Sequence, residues 1–446
     1  MSIAVAEKTL PTWDMTTIYP AIDSPEYVEA VSSLSAGTAR LEALLDAALR
    51  GGEDMVATFE QILGEVESAF VTANRLIAFV TGHIAVDSRD QLAQARMSEL
   101  RIQVARLSKS STRFTAWIGT LDVEDLIARS DAARANAFVI RKAKIDSGHL
   151  MSPVEEDLAA DLGLSGGRAW TQMYDDVTSQ IAVPMENAGG ETESLPMTEI
   201  RNLAMSPDRE TRRRAWEAEL AAWKQWETPI AAALNGIKGE HITVSRRRQW
   251  DSVLDEALHR NHIDRMTLDA MMDAARDAFP DFRRYFCAKA KALGIPELAW
   301  YDLFAPPTAN EREWPWDEAI EFVFEQFGTY SWPMRELAER SVSERWIDVA
   351  PRPGKVGGAF CMAAGLEESR VLLNFTPAFD GVSTLAHELG HAYHNLCQVD
   401  TPVLQRMSTP MTLAETASTF CETILRKAAI ATGTEDEAFS ILEGSL

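Results

Sequence analysis

"TLAHELGHAYHN", residues 384–395, places three of the chain's eight histidines within eight positions. Inside it, His387-Glu388-Leu389-Gly390-His391 has the form H-E-x-x-H. On a helix, residues i and i+4 stand one above the other on one face. Both imidazoles can then reach a single ion lying about 2.0–2.1 Å from each ring nitrogen. Glu388 projects beside that ion, where it can hold and deprotonate a water without taking a coordination position. Two histidines and a glutamate in so apolar a stretch are costly to bury unless a metal satisfies them. Gly390 lowers helix stability by about 1 kcal/mol relative to alanine, which argues that another backbone approaches there.

A third ligand has to come from elsewhere. His394 lies about 10.5 Å from His387 along a helix axis, too far for an ion that also holds His391. It is read either as a residue facing the site and its substrate or as a partly exposed helix residue. Downstream, "MTLAETASTFCETILRKAA", residues 411–429, reads as a helix. Its acids Glu415 and Glu422 are both candidates. Glu415 is the better one, because Leu413, Ala414 and Ala417 leave room for two helices to pack closely. Asp380, at the head of the H-E-x-x-H helix, is read as its cap, with orientation of a ligand histidine as the alternative.

Outward from this stretch the chain reads as mostly α, with one small sheet beside the H-E-x-x-H helix. Apolar residues recur at i, i+3, i+4 and i+7 through most of it. Ser152-Pro153 and Ser206-Pro207 have the look of helix starts. Strand signals come late, in "RWIDVAPRPGKVGGAFCMAAG" and "SRVLLNF" (369–375), bounded by Gly, Pro and Asn. "PMENAGGETESLPMTE", residues 184–199, is read as a hairpin or linker. It divides an N-terminal helical domain, 1–195, from a domain carrying the H-E-x-x-H helix, 196–446.

A formal net charge of −24 repels phosphate backbones and anionic lipid, so neither nucleic acid nor a membrane surface is expected as a partner. No apolar run was found to approach the roughly 18–20 residues that span a bilayer. The arginine runs 212–214 and 246–248 are read as solvated helix faces making local ion pairs. Cys287, Cys361, Cys397 and Cys421 form no CxxC pair and are expected to be reduced core thiols in a cytoplasmic protein.

"HELGHAYH" followed by "LAETASTFCE" resembles the oligoendopeptidase F and thimet oligopeptidase family of zinc peptidases. "TWDMTTIYP", "SPVEEDLAADLGLSGGRAW", "SPDRETRRRAWEAE", "RRRQWDSVLDEALHRNHID" and "PRPGKVGGAFC" resemble further stretches of such proteins, in the same order. The resemblance implies a helical zinc-peptidase fold with a deep substrate channel. It implies one Zn²⁺ per chain on His387, His391 and Glu415, with Glu388 as general base in the hydrolysis of internal bonds of short peptides. It also implies a sheet edge that pairs with the substrate backbone at Gly358, Ala359 and Phe360, and a cytoplasmic location. Tyr393, on the same helix as His394, is read either as a further substrate contact, an imperfect substitute for cleft-lining groups of the family, or as a packing residue. Family members continue beyond the Glu415 helix, so the chain is expected to be C-terminally incomplete. That leaves room for a zinc-containing peptide-binding protein without turnover, or for a zinc hydrolase of a non-peptide amide or ester.

Overall fold

The computed structural model describes residues 10–51, 54–186, 190–307 and 312–445. Helix makes up 72% of it, with two small sheets, in agreement with the mostly-α reading. The N-terminal part is a stack of α1 (Pro25–Arg50), α2 (Met55–Val86) and α3 (Gln91–Thr120), closed by the shorter α4 (Val123–Arg129), α5 (Asp131–Ala135) and α6 (Ala137–Asp146). Ser24, Asp54, Asp90 and Asp122 each accept a first-turn backbone N–H and so start their helices. Leu41, Phe59, Ile62, Leu76, Phe79 and Leu107 fill the core between them. One point differs from the sequence reading. By length and composition α2 could cross a membrane, its best window having a mean hydropathy of 1.4. Here 44% of that window is buried, because α2 is the central helix of this core.

Next come α7 (Pro153–Ser165) and α8 (Gly167–Thr178). Ser152 and Glu155 form a reciprocal capping box at the start of α7, as its Ser-Pro sequence predicts. The expected hairpin is formed by β1 (Ala182–Glu186) and β2 (Thr192–Pro196), while residues 187–189 of that stretch lie outside the described residues. Val183 and Met185 of the hairpin pack with Ile200 of α9 (Met197–Asn202) and Ala215 of α10 (Arg209–Arg247). This small core therefore straddles position 195. The second Ser-Pro pair does not itself begin a helix. Asp208 caps α10 instead, accepting the Thr211 N–H at 2.8 Å.

The arginine runs do more than line a solvated face. Arg213 makes the expected local pairs with Glu210 and Glu217. Arg212 is buried, and with Arg209 it clamps the fully buried Asp302. Arg247 and Arg248 join α10 to Glu155 and Glu156 of α7. The cysteines also depart in part from expectation. All four are free thiols, and Cys421 is buried, but Cys287 and Cys397 are exposed.

After α11 (Val253–Asn261) and the long α12 (Arg265–Ala292), helices α13 (Trp316–Tyr330) and α14 (Trp332–Ser343) form a second core. They pack there with α15 (Phe379–Cys397) and α18 (Thr416–Thr432). The short α16 (Val403–Met407) and α17 (Met411–Ala414) connect the last two, and α19 (Glu435–Glu443) follows. Between the two cores lies a sheet in the order β3 (Ile347–Asp348), β5 (Ser369–Leu372), β4 (Phe360–Ala363), with β3 parallel and β4 antiparallel to β5. Phe360 and Met362 of β4 reach into the N-terminal core, whereas Cys361 packs against the second.

The loop leading into β4 is held tightly. Lys355, with no exposed side chain, bonds the carboxylate of buried Asp348 at 2.6 Å, and Arg352 grips the same carboxylate at 2.7 and 2.9 Å. The Asn374 amide donates to the carbonyls of Val356 and Gly358 at 3.0 and 2.8 Å. The positive φ that a tight turn demands falls at Gly358, +78°, rather than at Gly357.

Candidate metal centre

The centre is built where α15 crosses α18. Gly390 makes the crossing possible. A Cβ at that position would lie 2.8 Å from the Ala417 carbonyl oxygen and from Ser418 Cα, closer than van der Waals contact allows. The backbones meet because neither helix carries bulk there, and the ends of their polar side chains converge alongside. The predicted 411–429 helix is in fact two, broken at Glu415, which stands at the head of α18 with φ −86° and ψ 1°.

Three atoms come together there. His387 Nε2 and His391 Nε2 are 3.2 Å apart, and Glu415 Oε2 is 3.2 Å from the first and 3.3 Å from the second. Ligand atoms on adjacent corners of a tetrahedron with zinc-type bonds of about 2.0–2.1 Å are separated by about 3.3–3.4 Å. The three atoms thus already sit as one face of such a tetrahedron, and the chemistry of the donor set suits a borderline-soft divalent ion. Glu415 keeps 47% of its side-chain surface exposed, so the cluster is reached by solvent from that side.

Surrounding groups hold two of the three. Ser418 donates to Glu415 Oε2 at 2.7 Å. His387 Nδ1 lies 2.7 Å from Glu422 Oε1, and Glu422 Oε2 accepts from Ser383 and Arg426, both at 3.2 Å. Glu422 is therefore not a ligand but the carboxylate that orients one. Its bond to His387 keeps the Glu422 carboxyl below the usual range and raises the His387 imidazole. His391 has no such partner, and burial lowers its pKa.

Glu388 is buried, with Oε2 lacking any hydrogen-bond partner. Burial above all pushes its carboxyl up to about 7; His387 opposes the rise, and Glu415 and Glu422 add to it. On its other side is Cys361 of β4, whose thiol is raised to about 12 by burial, with Glu388 contributing. An orphan carboxylate oxygen beside three convergent ligand atoms is the arrangement needed to take a proton from a water at the fourth corner.

β4 is an edge strand. Val371 and Leu373 donate toward β3, to the carbonyls of Trp346 and Asp348, so Arg370 and Leu372 face β4 and pair with Met362 and Phe360. Ala359, Cys361 and Ala363 turn their main-chain groups toward the open edge, alongside Glu388. The other predicted contacts are not brought to the cluster. His394 is hydrogen-bonded at 2.8 Å to Gln398, one turn along its own helix. Tyr393 packs into the second core with its hydroxyl at Ser331. Asp380 does not cap α15, which begins at Ala378 without a side-chain cap.

A model of Peptidase family M3 matches residues 202–438. The chain belongs to peptidase family M3. Family M3 is zinc-dependent, in keeping with the His-His-Glu cluster. Similar M3 proteins include an oligoendopeptidase F homolog of Lactococcus lactis subsp. lactis, 24% identical over 456 residues, covering 97% of this chain and 72% of its relative. The group B oligopeptidase PepB of Streptococcus agalactiae is also 24% identical, covering 96% and 71%. Among solved structures, an oligoendopeptidase F from Bacillus anthracis superposes with a TM-score of 0.75 at 14% identity, over 91% of this chain and 74% of that one. A peptidase from Chlamydophila abortus gives 0.67 at 22% identity, over 97% and 73%. At these identities the structures establish a shared fold. The residues that the sequence reading missed are Ser418, Ser383 and Arg426. The one signal for them was helical spacing, Ser418 being i+3 from Glu415 and Arg426 i+4 from Glu422.

Proposed function

We propose that the chain is a zinc-dependent oligoendopeptidase that hydrolyses internal bonds of short peptides. The observation that carries this reading is the triangle of His387, His391 and Glu415 atoms at 3.2–3.3 Å with the unpartnered oxygen of Glu388 beside it. His387, His391 and Glu415 hold the ion, which when bound supplies Lewis acidity toward a peptide carbonyl and a water. Glu388 takes a proton from the attacking water and returns it to the leaving amine. Its burial favours the first transfer, because a carboxylate shielded from water is more basic, and a carboxyl raised only to about 7 is still acid enough near neutral pH to return the proton.

The open edge of β4 lays the substrate down as an added strand. An extended peptide bonds to Ala359, Cys361 and Ala363 through its own main chain, whatever its side chains. This accounts for an oligopeptide substrate class, also carried by the names of the relatives. The positive φ at Gly358 and the Asn374 amide set the approach of this strand.

The test is turnover of quenched fluorescent peptides of five to fifteen residues, before chelation, after it, and after zinc is restored. Cleavage that is lost and regained with the metal supports the proposal. Peptide binding by the zinc-loaded protein without cleavage would assign it instead to a binding role, and hydrolysis of simple esters or amides alone would assign another hydrolase class.

A further inference from the structure

Past Glu422, the groove between α15 and α18 opens into a cavity of about 380 Å³. Glu422 forms part of its wall and, through its other oxygen, holds His387, so the cavity is one carboxylate away from the metal cluster. Seven charged side chains line it, and six of them are engaged. Lys289 of α12 pairs with Glu443 of α19. Arg426 pairs with Glu422, and Arg312 with Glu318 outside the cavity. Glu437 accepts the Thr434 N–H at the head of α19.

The seventh is Asp380. Among the described residues it has no hydrogen bond and no ion pair, although it is open to the cavity. Asp380 is exposed to the solvent of the cavity, and the protein packed around it, with Glu422 second, raises its carboxyl above the usual aspartate range. The lining as a whole carries one negative charge in excess. Next to Asp380 the wall is formed by Phe379, whose ring meets that of buried Trp314 edge to face at 5.9 Å, while the Arg312 guanidinium covers the Trp314 ring at 3.9 Å. A lone carboxylate beside an apolar wall is complementary to a cation on a hydrocarbon stem.

We infer that this cavity is a specificity subsite for a positive charge carried by the peptide, either the ammonium or guanidinium of a lysine or arginine side chain or the free N-terminal ammonium. The head of the cation meets Asp380, and its stem lies along Phe379. The inference rests on the reading of the chain as a peptide-binding metallopeptidase, and it specifies that substrate class further.

The experiment uses the zinc-loaded Glu388→Gln variant, so that binding is read without turnover. Labelled peptides carry lysine or norleucine at successive positions, with the N-terminus free or acetylated. At one position, or at the terminus, removal of the charge is expected to weaken binding about tenfold, as for a charge-assisted hydrogen bond. The arm that responds identifies the source of the cation. A second substitution, Asp380→Asn, should abolish that difference. In the protein that keeps Asp380, agmatine should compete with the lysine peptide. Equal affinities for charged and neutral peptides throughout, or an equal loss for both in Asp380→Asn, overturn the inference. The failure of the function itself looks different. Charge-dependent binding with no cleavage by the unaltered protein removes the peptidase reading and leaves the cavity, whereas cleavage without charge preference removes only the cavity's role.

Discussion

His387 and Glu422 are joined by a 2.7 Å contact between Nδ1 and Oε1. A carboxylate there requires Nδ1 to carry the proton, which leaves the lone pair of Nε2 free and aimed at His391 and Glu415. One acid at the head of α18 thus joins the two histidines, and another, seven residues on, selects the tautomer of the histidine it contacts.

These two acids should separate in a zinc titration. Glu415→Ala removes a ligand and should abolish tight binding. Glu422→Ala leaves all three ligands but frees the His387 ring, and should weaken affinity by about 10–100-fold. Competition against a chromophoric chelator measures both. Undiminished affinity in Glu422→Ala would show that the ring is oriented by packing alone.

Glu388→Gln should leave zinc content unchanged and lower kcat by about 10²–10⁴, the range for loss of a general base. Metal analysis and peptide turnover on one preparation check it. Near-normal turnover with zinc intact would move the proton transfer to another group.

Zinc affinity should fall as the solution is acidified, and the sign follows from His387. Its pKa is raised above 6.5, chiefly by the bond to Glu422. Below that raised value a proton occupies Nε2 and competes with the ion. Affinity is therefore full above this pKa and declines as pH falls through it. Glu422→Gln removes the carboxylate that raises the histidine, so the decline should begin at lower pH. Titrations at several pH values decide the matter, and an unshifted onset would contradict it.

Gly390→Ala should destabilise the fold, although alanine favours helix by about 1 kcal/mol. The added Cβ meets the backbone at Ala417 and Ser418 at 2.8 Å, so α15 and α18 must move apart, at a cost of about 1–3 kcal/mol. A lowered Tm with loss of zinc is expected, since the separation carries Glu415 away from both histidines. An unchanged Tm would mean that the crossing can yield.

Much of this centre was legible in the sequence because its parts are local. The i, i+4 histidines share a face on any helix, and a glycine inside an apolar helix is costly enough to signal a close crossing. Glu415 could be preferred to Glu422 on the size of its neighbours. What Glu422 does could not be read, since both acids lie on nearly one face of α18 and their roles diverge only where α15 crosses. Tyr393 could be read as a site residue or as a packing residue, and its rotation about the helix axis directs it into the second core. The runs 212–214 and 246–248 misled for a related reason. Local spacing suggested pairs within the helix, whereas Arg212 and Arg248 found acids on other elements. α2 has no unbroken apolar run of spanning length, yet its mean hydropathy, which does not depend on runs, reaches that of a spanning helix.

By itself, the sequence determined the mostly helical class, the H-E-x-x-H face and the break before β4, because helix periodicity, ligand spacing and turn residues act over a few positions. Only the tertiary structure decided which acid ligates, which acid orients, that β4 lies at the sheet's edge and that Asp380 faces a cavity without a partner. Those outcomes depend on how elements far apart in the chain pack together, and packing directs a side chain in ways that spacing along one helix cannot.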